Sequence, residues 1–249
     1  MNKSFVSFSR RAFSLVELIV VIAIIGVIAA FTVPQAGQIL KGSTLTQAST
    51  IVTDQIRLAR DFAVTKNSKV EVRFYQYGDP EMPGETVTIP SSGQYRAMQV
   101  FQVVNVTQGS NVGTIQGERT LPLDKVQMLP QGVIMELYAA NTTSSFGAAC
   151  STLLTNPNSL PIAGSQEPSG LLLPRGIGNN YNYITFRFNP DGSTNLAPTG
   201  TVWFMTLHNL NDAGYLNANQ TVPNMPYNYF CLQIDPVVGT TRIYRPQAG

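Results

Sequence analysis

Residues 10–34 read RRAFSLVELIVVIAIIGVIAAFTVP, and this stretch decides how the rest of the chain is interpreted. From Phe13 to Val33 it holds 21 residues, of which Glu17 is the only charged one. As a helix it would extend about 31 Å, enough to cross the hydrocarbon core of a bilayer. Residues 1–12 carry three basic and no acidic side chains, so the positive-inside rule keeps them in the cytoplasm. A single crossing of the inner membrane is predicted, with the following residues extracytoplasmic.

Glu17 separates two interpretations that hydropathy alone leaves open. A signal peptide or plain signal anchor has no use for a carboxylate, which costs about a few kcal/mol near mid-membrane. The cost falls if the carboxylate meets a cation. Cleavage between Ala12 and Phe13 would create an α-amino group at Phe13, about one helical turn from Glu17. The same two groups would also pair between two packed chains.

This stretch resembles the class III signal of type IV prepilins and pseudopilins. In that family a basic leader precedes a small residue, an aromatic residue follows the cut, and a Glu stands five residues into a long apolar helix. The matching residues are Arg10, Arg11, Ala12, Phe13, Glu17 and Pro34. Ala12 stands where the family usually has Gly. A small Ala still suits the peptidase, although less ready cleavage is expected.

The resemblance implies a defined pathway. A membrane-embedded prepilin peptidase cuts after Ala12 and N-methylates Phe13. An assembly platform then extracts the subunit into a helical filament in the periplasm or at the cell surface. The apolar helices form the filament core, and Phe13 and Glu17 pair between pilin or pseudopilin subunits. The chain is then a substrate of this enzyme, not an enzyme itself, and no cofactor is expected.

Gly26 and Pro34 mark a part of this helix that could bend or unwind when it leaves lipid for a filament. A helix-interior Gly costs about 1 kcal/mol relative to Ala, and an interior Pro about 3 kcal/mol. A membrane helix that simply tolerates both residues is the equally weighted alternative.

After Pro34 the helical period persists while the hydrophobicity falls, which predicts an amphipathic helix over residues 35–66. Its apolar positions are Ala48, Ile51, Val52, Ile56, Ala59, Phe62 and Ala63. The predicted organisation is a leader (1–12), a transmembrane or filament-core helix (13–34), the amphipathic half of that helix (35–66) and a β-rich head (67–249). Residues 141–180, rich in Ser, Asn, Pro and Gly, form a predicted insertion in the head.

The head is predicted to consist of antiparallel strands. Apolar and polar residues alternate over 70–74, 184–188 and 230–234, which indicates half-buried strands, whereas 95–106 and 201–210 are apolar enough for central strands. Turns are predicted at 189–192 and 238–239, with a last strand over 240–244. Because no βαβ alternation follows the helix, the fold class is α+β, a pilin-like fold with a long N-terminal helix packed on an antiparallel β head.

A narrower resemblance covers most of the chain. The runs LTQASTIVTDQIRLARDFAVTKNSKVEVRFYQYGDP, YRAMQVFQV and FRFNPDGSTNL resemble the prepilin-like Verru_Chthon cassette protein D family. More distantly, the amphipathic helix and the F-x-F-x-P-D-G-S turn are similar to the minor pseudopilin H and type II fimbrial minor pilin group. The second resemblance implies a minor subunit or a place near the filament tip.

Few side chains of the head have the chemistry of a site. Cys150 and Cys231 either form a disulfide, which an extracytoplasmic head permits, or are two separate small hydrophobes.

His208, the only His, lies near the end of an apolar strand with no nucleophile motif, so a structural role is expected. Asp79, Glu81 and Glu85 could gather on a Ca²⁺ ion, which takes several carboxylate and carbonyl oxygens. Their spacing does not match an EF-hand loop, so a solvated acidic loop is the favoured interpretation and no metal site is predicted.

Arg242 and Arg245 near the C-terminus raise the alternative that the head contacts DNA. Two arginines neutralise few phosphates, and ordinary surface charge on an edge strand is the favoured interpretation, so nucleic acid is not an expected partner.

Only 12% of the residues are charged. Without residues 1–12, 13 basic and 14 acidic residues remain, so the weak positive charge belongs to the leader.

The sequence therefore favours a structural subunit, a minor pilin or pseudopilin of a type IV pilus-like or type II secretion-like filament. The alternative is a minor pilin whose head binds DNA, a surface or secreted cargo. A third class, an ordinary membrane-anchored or secreted β protein, is separated from both by the mass of the mature chain.

Overall fold

A computed structural model describes residues 14–82, 85–89, 93–107, 115–136, 151–154, 165–166, 172–200, 202–210 and 228–245. The backbone alone is described for residues 31–40, 106–107, 115–116 and 165–166. Ala12, Phe13, Cys150 and most of the predicted insertion lie outside these ranges. The chain divides into two units, residues 1–42 and residues 43–249.

Helix α1 spans Leu15–Thr65, 51 residues in all. It therefore includes both the predicted apolar segment and the predicted amphipathic segment. Within the described residues, no helix combines the length and the hydropathy needed for a membrane crossing.

The part of α1 within the second unit is amphipathic, as the sequence predicted. Its fully buried apolar side chains repeat at three, four and seven residues, so they lie on one face: Leu45, Ala48, Val52, Ile56, Ala59 and Ala63. Ser49 and Thr53 are also buried, and their hydroxyls donate to the carbonyls of Thr46 (2.8 Å) and Ser49 (2.7 Å). These bonds satisfy the buried hydroxyls, so packing overrides the low helix propensity of both residues.

The helix ends where Asn67 adopts the left-handed conformation, with φ 47°. The amide of Ser68 donates back to the carbonyl of Ala63 (3.1 Å), which satisfies one of the carbonyls left open at a helix C-terminus. Asn tolerates positive φ better than most residues, so this position suits the stop.

Ten strands of the described residues form one sheet. They are β1 (Val70–Tyr77), β2 (Gln94–Thr107), β3 (Ile115–Pro122), β4 (Gln127–Met128), β5 (Val133–Met135), β6 (Ser165–Gln166), β7 (Asn182–Phe188), β8 (Trp203–Asn209), β9 (Tyr229–Ile234) and β10 (Thr241–Tyr244). The main order is β10-β9-β8-β5-β2-β1-β7, with β3 and β4 also paired to β2. All the described pairs are antiparallel except the two-residue β3–β6 pair, so the α+β prediction is confirmed.

The main core contains the buried face of α1 and apolar side chains from the longer strands of the sheet. The strand residues alternate along each chain, so they share one sheet face: Val70, Val72 and Phe74 of β1, Phe186 and Phe188 of β7, Met205 and Leu207 of β8, and Leu232 and Ile234 of β9. Burying a side chain of this size contributes about 1.5–3 kcal/mol, so this core is the main stabilising element of the head. The prediction that 95–106 and 201–210 form central strands is confirmed by β2 and β8.

The opposite face of the sheet is covered at β1 and β7, so the prediction that these two strands are half-buried is wrong. Glu71, Arg73 and Arg187 are no more than 4% exposed. Next to them, a second apolar cluster joins Tyr75 of β1 to residues from the end of the predicted insertion, Leu173 and Ile177 among them. The alternation reported residue polarity correctly, but these polar side chains are buried against each other. Strand β9 is half-buried as predicted.

Two predicted turns pack on each other. The amide of Gly192 donates to the carbonyl of Asn189 (2.9 Å), and that of Gly239 donates to Asp235 (2.8 Å), both glycines having positive φ. The Arg60 side chain of α1 donates to the carbonyl of Val238 (2.9 Å). The amide of Thr194, just after the first turn, donates to the carbonyl of Pro236 in the second (2.9 Å). The turn before β10 is therefore joined both to the turn after β7 and to the end of the helix.

Gly239→Ala is expected to destabilise the head more than Gly132→Ala. Both glycines have positive φ, 70° and 80°, which costs an L-residue about 1–2 kcal/mol. A Cβ at Gly239 would lie 2.1 Å from the carbonyl oxygen of Gly192, whereas a Cβ at Gly132 meets no atom within 4 Å. Urea unfolding of the full chain in detergent measures the difference. Equal losses would contradict the close packing of the two turns.

Candidate functional site

The described part of the N-terminal segment begins at Ser14, and Glu17 lies in the first turn of α1. The amide of Leu18 donates to the carbonyl of Ser14 (3.1 Å), so the helical bonding includes this turn. A carboxylate here is favoured by the positive end of the helix dipole. Among the described residues Glu17 has no ion-pair partner. Ala12 and Phe13 lie outside them, so the cleavage and the pairing stay predictions.

The first part of α1 presents apolar side chains on all sides. Eleven large ones are between 44% and 73% exposed: Leu15, Val16, Leu18, Ile19, Val20, Val21, Ile22, Ile24, Ile25, Val27 and Ile28. A helix that is apolar all round is normally buried in a protein or in a membrane. A continuous apolar surface of this kind marks an interaction site.

Helix α1 is continuous through Gly26 and Pro34. A Cβ added at Gly26 would meet no atom within 4 Å, so nothing in the single chain requires glycine there. Pro34 has no N–H to donate to the preceding turn. Bending or unwinding at these positions on assembly stays a prediction.

A network of charged side chains lies on the sheet face opposite α1. Glu71 accepts from Arg73 Nε through Oε1 (2.7 Å) and from Arg187 through Oε2 (2.8 Å). Arg187 also bonds Glu118, whose other oxygen lies 3.2 Å from Lys69 Nζ. Lys69, at the outer end, is half exposed, and Glu71 and Arg73 at the inner end are buried. We call these five residues the charge network.

The strand register explains how the network forms. Glu71 of β1 lies directly opposite Arg187 of β7, and β3 brings Glu118 to the same face. Arg73, two residues along β1, also donates to the hydroxyl of Thr120 on β3 (3.2 Å). Its guanidinium lies 4.4 Å from the ring centre of Phe101 and 4.7 Å from that of Tyr183. Aromatic faces attract a desolvated cation, so they stabilise this buried charge.

The pKa of Glu118 lies below the ordinary value of a glutamate. Burial alone would raise the pKa, but the hydrogen bonds and positive charges of Arg187 and Lys69 outweigh it. The ionised carboxylate is therefore the form that the fold stabilises. The sequence pattern did not reveal this network, because only Lys69, Glu71 and Arg73 are close along the chain, whereas Arg187 is 116 residues from Glu71.

The acidic loop is not the solvated segment that the sequence predicted. Glu85 forms a two-pronged pair with Arg96 of β2, at 2.5 and 2.6 Å, and its side chain is 8% exposed. It also accepts from the amide of Asp79, whose own carboxylate accepts from the amide of Glu81. The carboxylates therefore stabilise the loop itself. The described residues contain no group of His, Cys, Asp or Glu that could hold a metal ion.

His208 lies in β8 with both ring nitrogens bonded. Nε2 is 2.8 Å from Glu136 Oε2, and Nδ1 is 2.9 Å from the carbonyl oxygen of Asn209. His208 and Glu136 are 1% and 3% exposed. Since a carbonyl oxygen only accepts, Nδ1 is the nitrogen that donates to Asn209. These partners support the structural role expected for this residue.

Cys231 lies partly buried on β9 and forms no disulfide with another residue in the described part of the chain. It lies opposite Thr206 of β8, on the outward face that also carries Gln233, as the alternation predicted. Burial raises the pKa of the thiol, so the neutral form is favoured. Ser151, the residue after Cys150, lies beside β8, because its hydroxyl donates to the carbonyl of Phe204 (3.2 Å). Cys150 itself lies outside the described residues, so the disulfide stays a prediction.

Arg242 and Arg245 are on opposite faces of the sheet. Arg242 faces Gln233 across the β9–β10 pair, whereas the guanidinium of Arg245 lies 4.9 Å from the ring centre of Phe230. Gln233 and Phe230 are three positions apart on β9, so their side chains point to opposite sides of the strand. Gln233 is partly exposed, whereas Phe230 belongs to the main core. The two cations do not form one basic surface, and contact with DNA stays a prediction.

Comparison with known proteins identifies the N-terminal segment. Residues 7–33 match the family model of the prokaryotic N-terminal methylation motif. The match supports a prepilin-like protein, and the motif indicates a prepilin-type substrate of a type IV pilus or type II secretion system. It implies processing by prepilin peptidase and assembly into pilin filaments. No curated protein and no solved structure matches the chain.

Glu71→Gln is expected to destabilise the head by about 3–5 kcal/mol, because two buried arginines would lose their shared carboxylate. Lys69→Gln is the matched control within the same network. Its side chain is 50% exposed, and the expected loss is below about 1 kcal/mol. Urea unfolding of the full chain in detergent compares the two variants. A loss from Glu71→Gln no larger than that of the control would contradict the burial of this pair.

Acid is expected to weaken the head partly through Glu118. A carboxyl with a lowered pKa in the folded state adds stability above its unfolded pKa of about 4.3, and this is lost as the pH falls through the folded value. Glu118→Gln is therefore expected to lower stability at pH 7 and to flatten its dependence on pH below about 4.3. Unfolding midpoints measured across this range test the expectation. Parallel curves for the parent and the variant would contradict it.

Proposed function

We propose that the chain is a structural subunit, a minor pilin or pseudopilin, of a type IV pilus-like or type II secretion-like filament. Before assembly it crosses the inner membrane once, with residues 1–12 in the cytoplasm and the head outside. Prepilin peptidase cuts after Ala12, Phe13 is N-methylated, and the assembly platform moves the subunit into the filament. The observation that carries this proposal is the methylation motif over residues 7–33.

The exposed apolar part of α1 supports this proposal energetically. Covering the eleven large side chains between Leu15 and Ile28 would contribute on the order of 10 kcal/mol. Lipid and neighbouring helices cover such a surface about equally well, so the hydrophobic effect alone gives little preference between membrane and filament.

Glu17 would supply that preference. Its carboxylate is costly in lipid, on the order of a few kcal/mol near mid-membrane. A neighbouring subunit would offer it the methylated amine of Phe13. Pairing would therefore favour the filament over the membrane and set the axial position of one helix against the next. Unpaired, the same carboxylate would disfavour long residence in the bilayer.

The narrower assignments belong to the same proposal. A minor rather than a major subunit is favoured by the resemblance of the F-x-F-x-P-D-G-S turn at 186–193 to the minor pseudopilin H and type II fimbrial minor pilin group. The resemblance to the Verru_Chthon cassette protein D family adds no mechanism. The partners are prepilin peptidase, the assembly platform and other pilin or pseudopilin subunits.

The mass of the intact mature chain tests the processing step. The expected mass is that of residues 13–249 with one added methyl group on Phe13. Ala12→Gly, which restores the residue usual in the family, is the control and should give the same mature chain at least as readily. A chain that starts at Met1, or at a signal-peptidase site within or after the apolar segment, would overturn the proposal.

Glu17→Ala and Glu17→Gln test the pairing step. Both variants are expected to be cut and methylated normally but to enter sheared filaments poorly, because each removes the charge that meets the Phe13 amine. The isosteric Gln separates the loss of charge from the loss of side-chain volume. Normal incorporation of the Gln variant would rule out charge pairing as the driving interaction.

A further inference from the structure

A groove runs along one side of the exposed apolar part of α1. It has a volume of about 330 Å³ and is lined by Val20, Ala23, Ile24, Val27 and Ile28. The four larger side chains among these are between 50% and 59% exposed. The lining residues form two rows of side chains spaced four residues apart, one of which contains Ala23 and Val27. Ala23 has the smallest side chain of the five, so it leaves the groove open beside it. We call these five residues the α1 groove.

The α1 groove lies on the same side of the helix as Glu17. Ile24 is seven residues after Glu17 and Ile28 is eleven residues after it, which correspond to about two and three helical turns. The three side chains are therefore nearly in line. Ala29 is nine residues after Val20, about two and a half turns, and so lies on the opposite side.

The position of Glu17 indicates which side of α1 faces a neighbouring subunit. Lipid chains cover any apolar surface about equally well, so they give the groove side no preference over the side with Ala29. They also offer no cation to a carboxylate. In the proposed filament, the cation that meets Glu17 is the terminal amine of a neighbouring subunit. The groove, which lies on the same side, therefore faces that subunit as well.

The chemistry of the groove selects an apolar helix as its occupant. All five lining side chains are apolar, so a polar segment of a head placed here would lose its hydrogen bonds to water without gaining partners. An apolar helix has no such cost, because its backbone groups are already bonded within the helix. Rows of side chains on one helix pack into the grooves between rows on another, and small residues allow the closest approach.

We propose that the α1 groove receives large apolar side chains from the N-terminal helix of a different prepilin-like subunit, while Glu17 meets the methylated terminal amine of that same subunit. This proposal rests on the proposed filament function and deepens it, because it assigns the side of α1 that makes the contact. A different subunit is specified because a minor subunit has mostly other subunits as neighbours.

The two contacts together determine which part of the neighbouring helix fills the groove. Both helices cross the membrane in the same direction, so they lie parallel. If the first residue of the neighbour is level with Glu17, then residues about four to twelve of its mature chain are level with Val20 to Ile28. The contact is therefore expected within the first three helical turns of the neighbouring subunit.

Filling the groove tests this contact in the full chain. Ala23→Leu is expected to lower the subunit's share of sheared filaments by about fivefold or more, because the added side chain overpacks a close contact. Ala29→Leu is the matched control, since it adds the same side chain on the opposite side of the same helix, and it should change that share less than about twofold. Both variants should still give a mature chain that starts at methylated Phe13. Equal losses from the two variants, or no loss from Ala23→Leu, would overturn the proposal.

A proximity measurement identifies the occupant directly. A short diazirine amino acid would replace Ala23 or, as the control, Ala29, and the full chain would be irradiated in intact membranes. From position 23 the expected product is a link to a peptide that begins at an N-methylated residue of another subunit. Position 29 should give mainly lipid adducts. Links from position 23 to lipid alone, to a second copy of this chain or to a head peptide would overturn the proposal.

Failure of the docking proposal and failure of the filament function give different results. If position 23 makes no link to a neighbouring N-terminal helix while the mature chain still starts at methylated Phe13, the docking proposal is wrong and the filament function stands. If that link forms but this chain is never cut after Ala12, the groove binds a neighbouring helix and the filament function is wrong.

Discussion

The packing of α1 on one face of the sheet is the constraint on which the head depends. The buried positions of the helix, from Leu45 to Ala63, lie in one core with apolar side chains of β1, β2, β7, β8 and β9. That packing gives the strands their orientation: residues directed at the helix are apolar, and their neighbours in sequence point the other way. The helix ends at Thr65, and Asn67, in the left-handed conformation, precedes β1.

The charge network is a consequence of this arrangement. Once α1 covers one face, the insertion residues around Leu173 and Ile177 cover the other face near β1 and β7, and the polar side chains there lose water. Buried charges are tolerated only when they are paired and hydrogen-bonded. Glu71, placed between Arg73 and Arg187, meets that requirement, and Glu118 and Lys69 continue the pairing out to solvent.

The first part of α1 is apolar throughout, with Glu17 its only charge, and therefore suits lipid or other helices. A chain with only 12% charged residues and a net charge of +2 has little charge repulsion to oppose side-by-side packing.

Much of this architecture is readable from local patterns. The period of the helix, the alternation in β9 and the turns at Asn189–Gly192 and Val238–Gly239 are short-range features, and the fold follows them. The prepilin-type motif was also predictable, because it is contiguous in sequence, and the family match covers residues 7–33. The burial of β1 and β7 was not, because alternation records polarity and not exposure.

The sequence by itself determined the apolar segment with Glu17, the amphipathic continuation of the helix and the antiparallel class of the head. Each of these depends on residues within a few positions of one another. The tertiary structure decided which charges pair: Glu71 with Arg187, Glu85 with Arg96, and Arg242 with no acid in the described chain. It also directed Arg242 and Arg245 to opposite faces. These outcomes follow from strand register and from what covers each face, and both are set by contacts between segments distant in sequence.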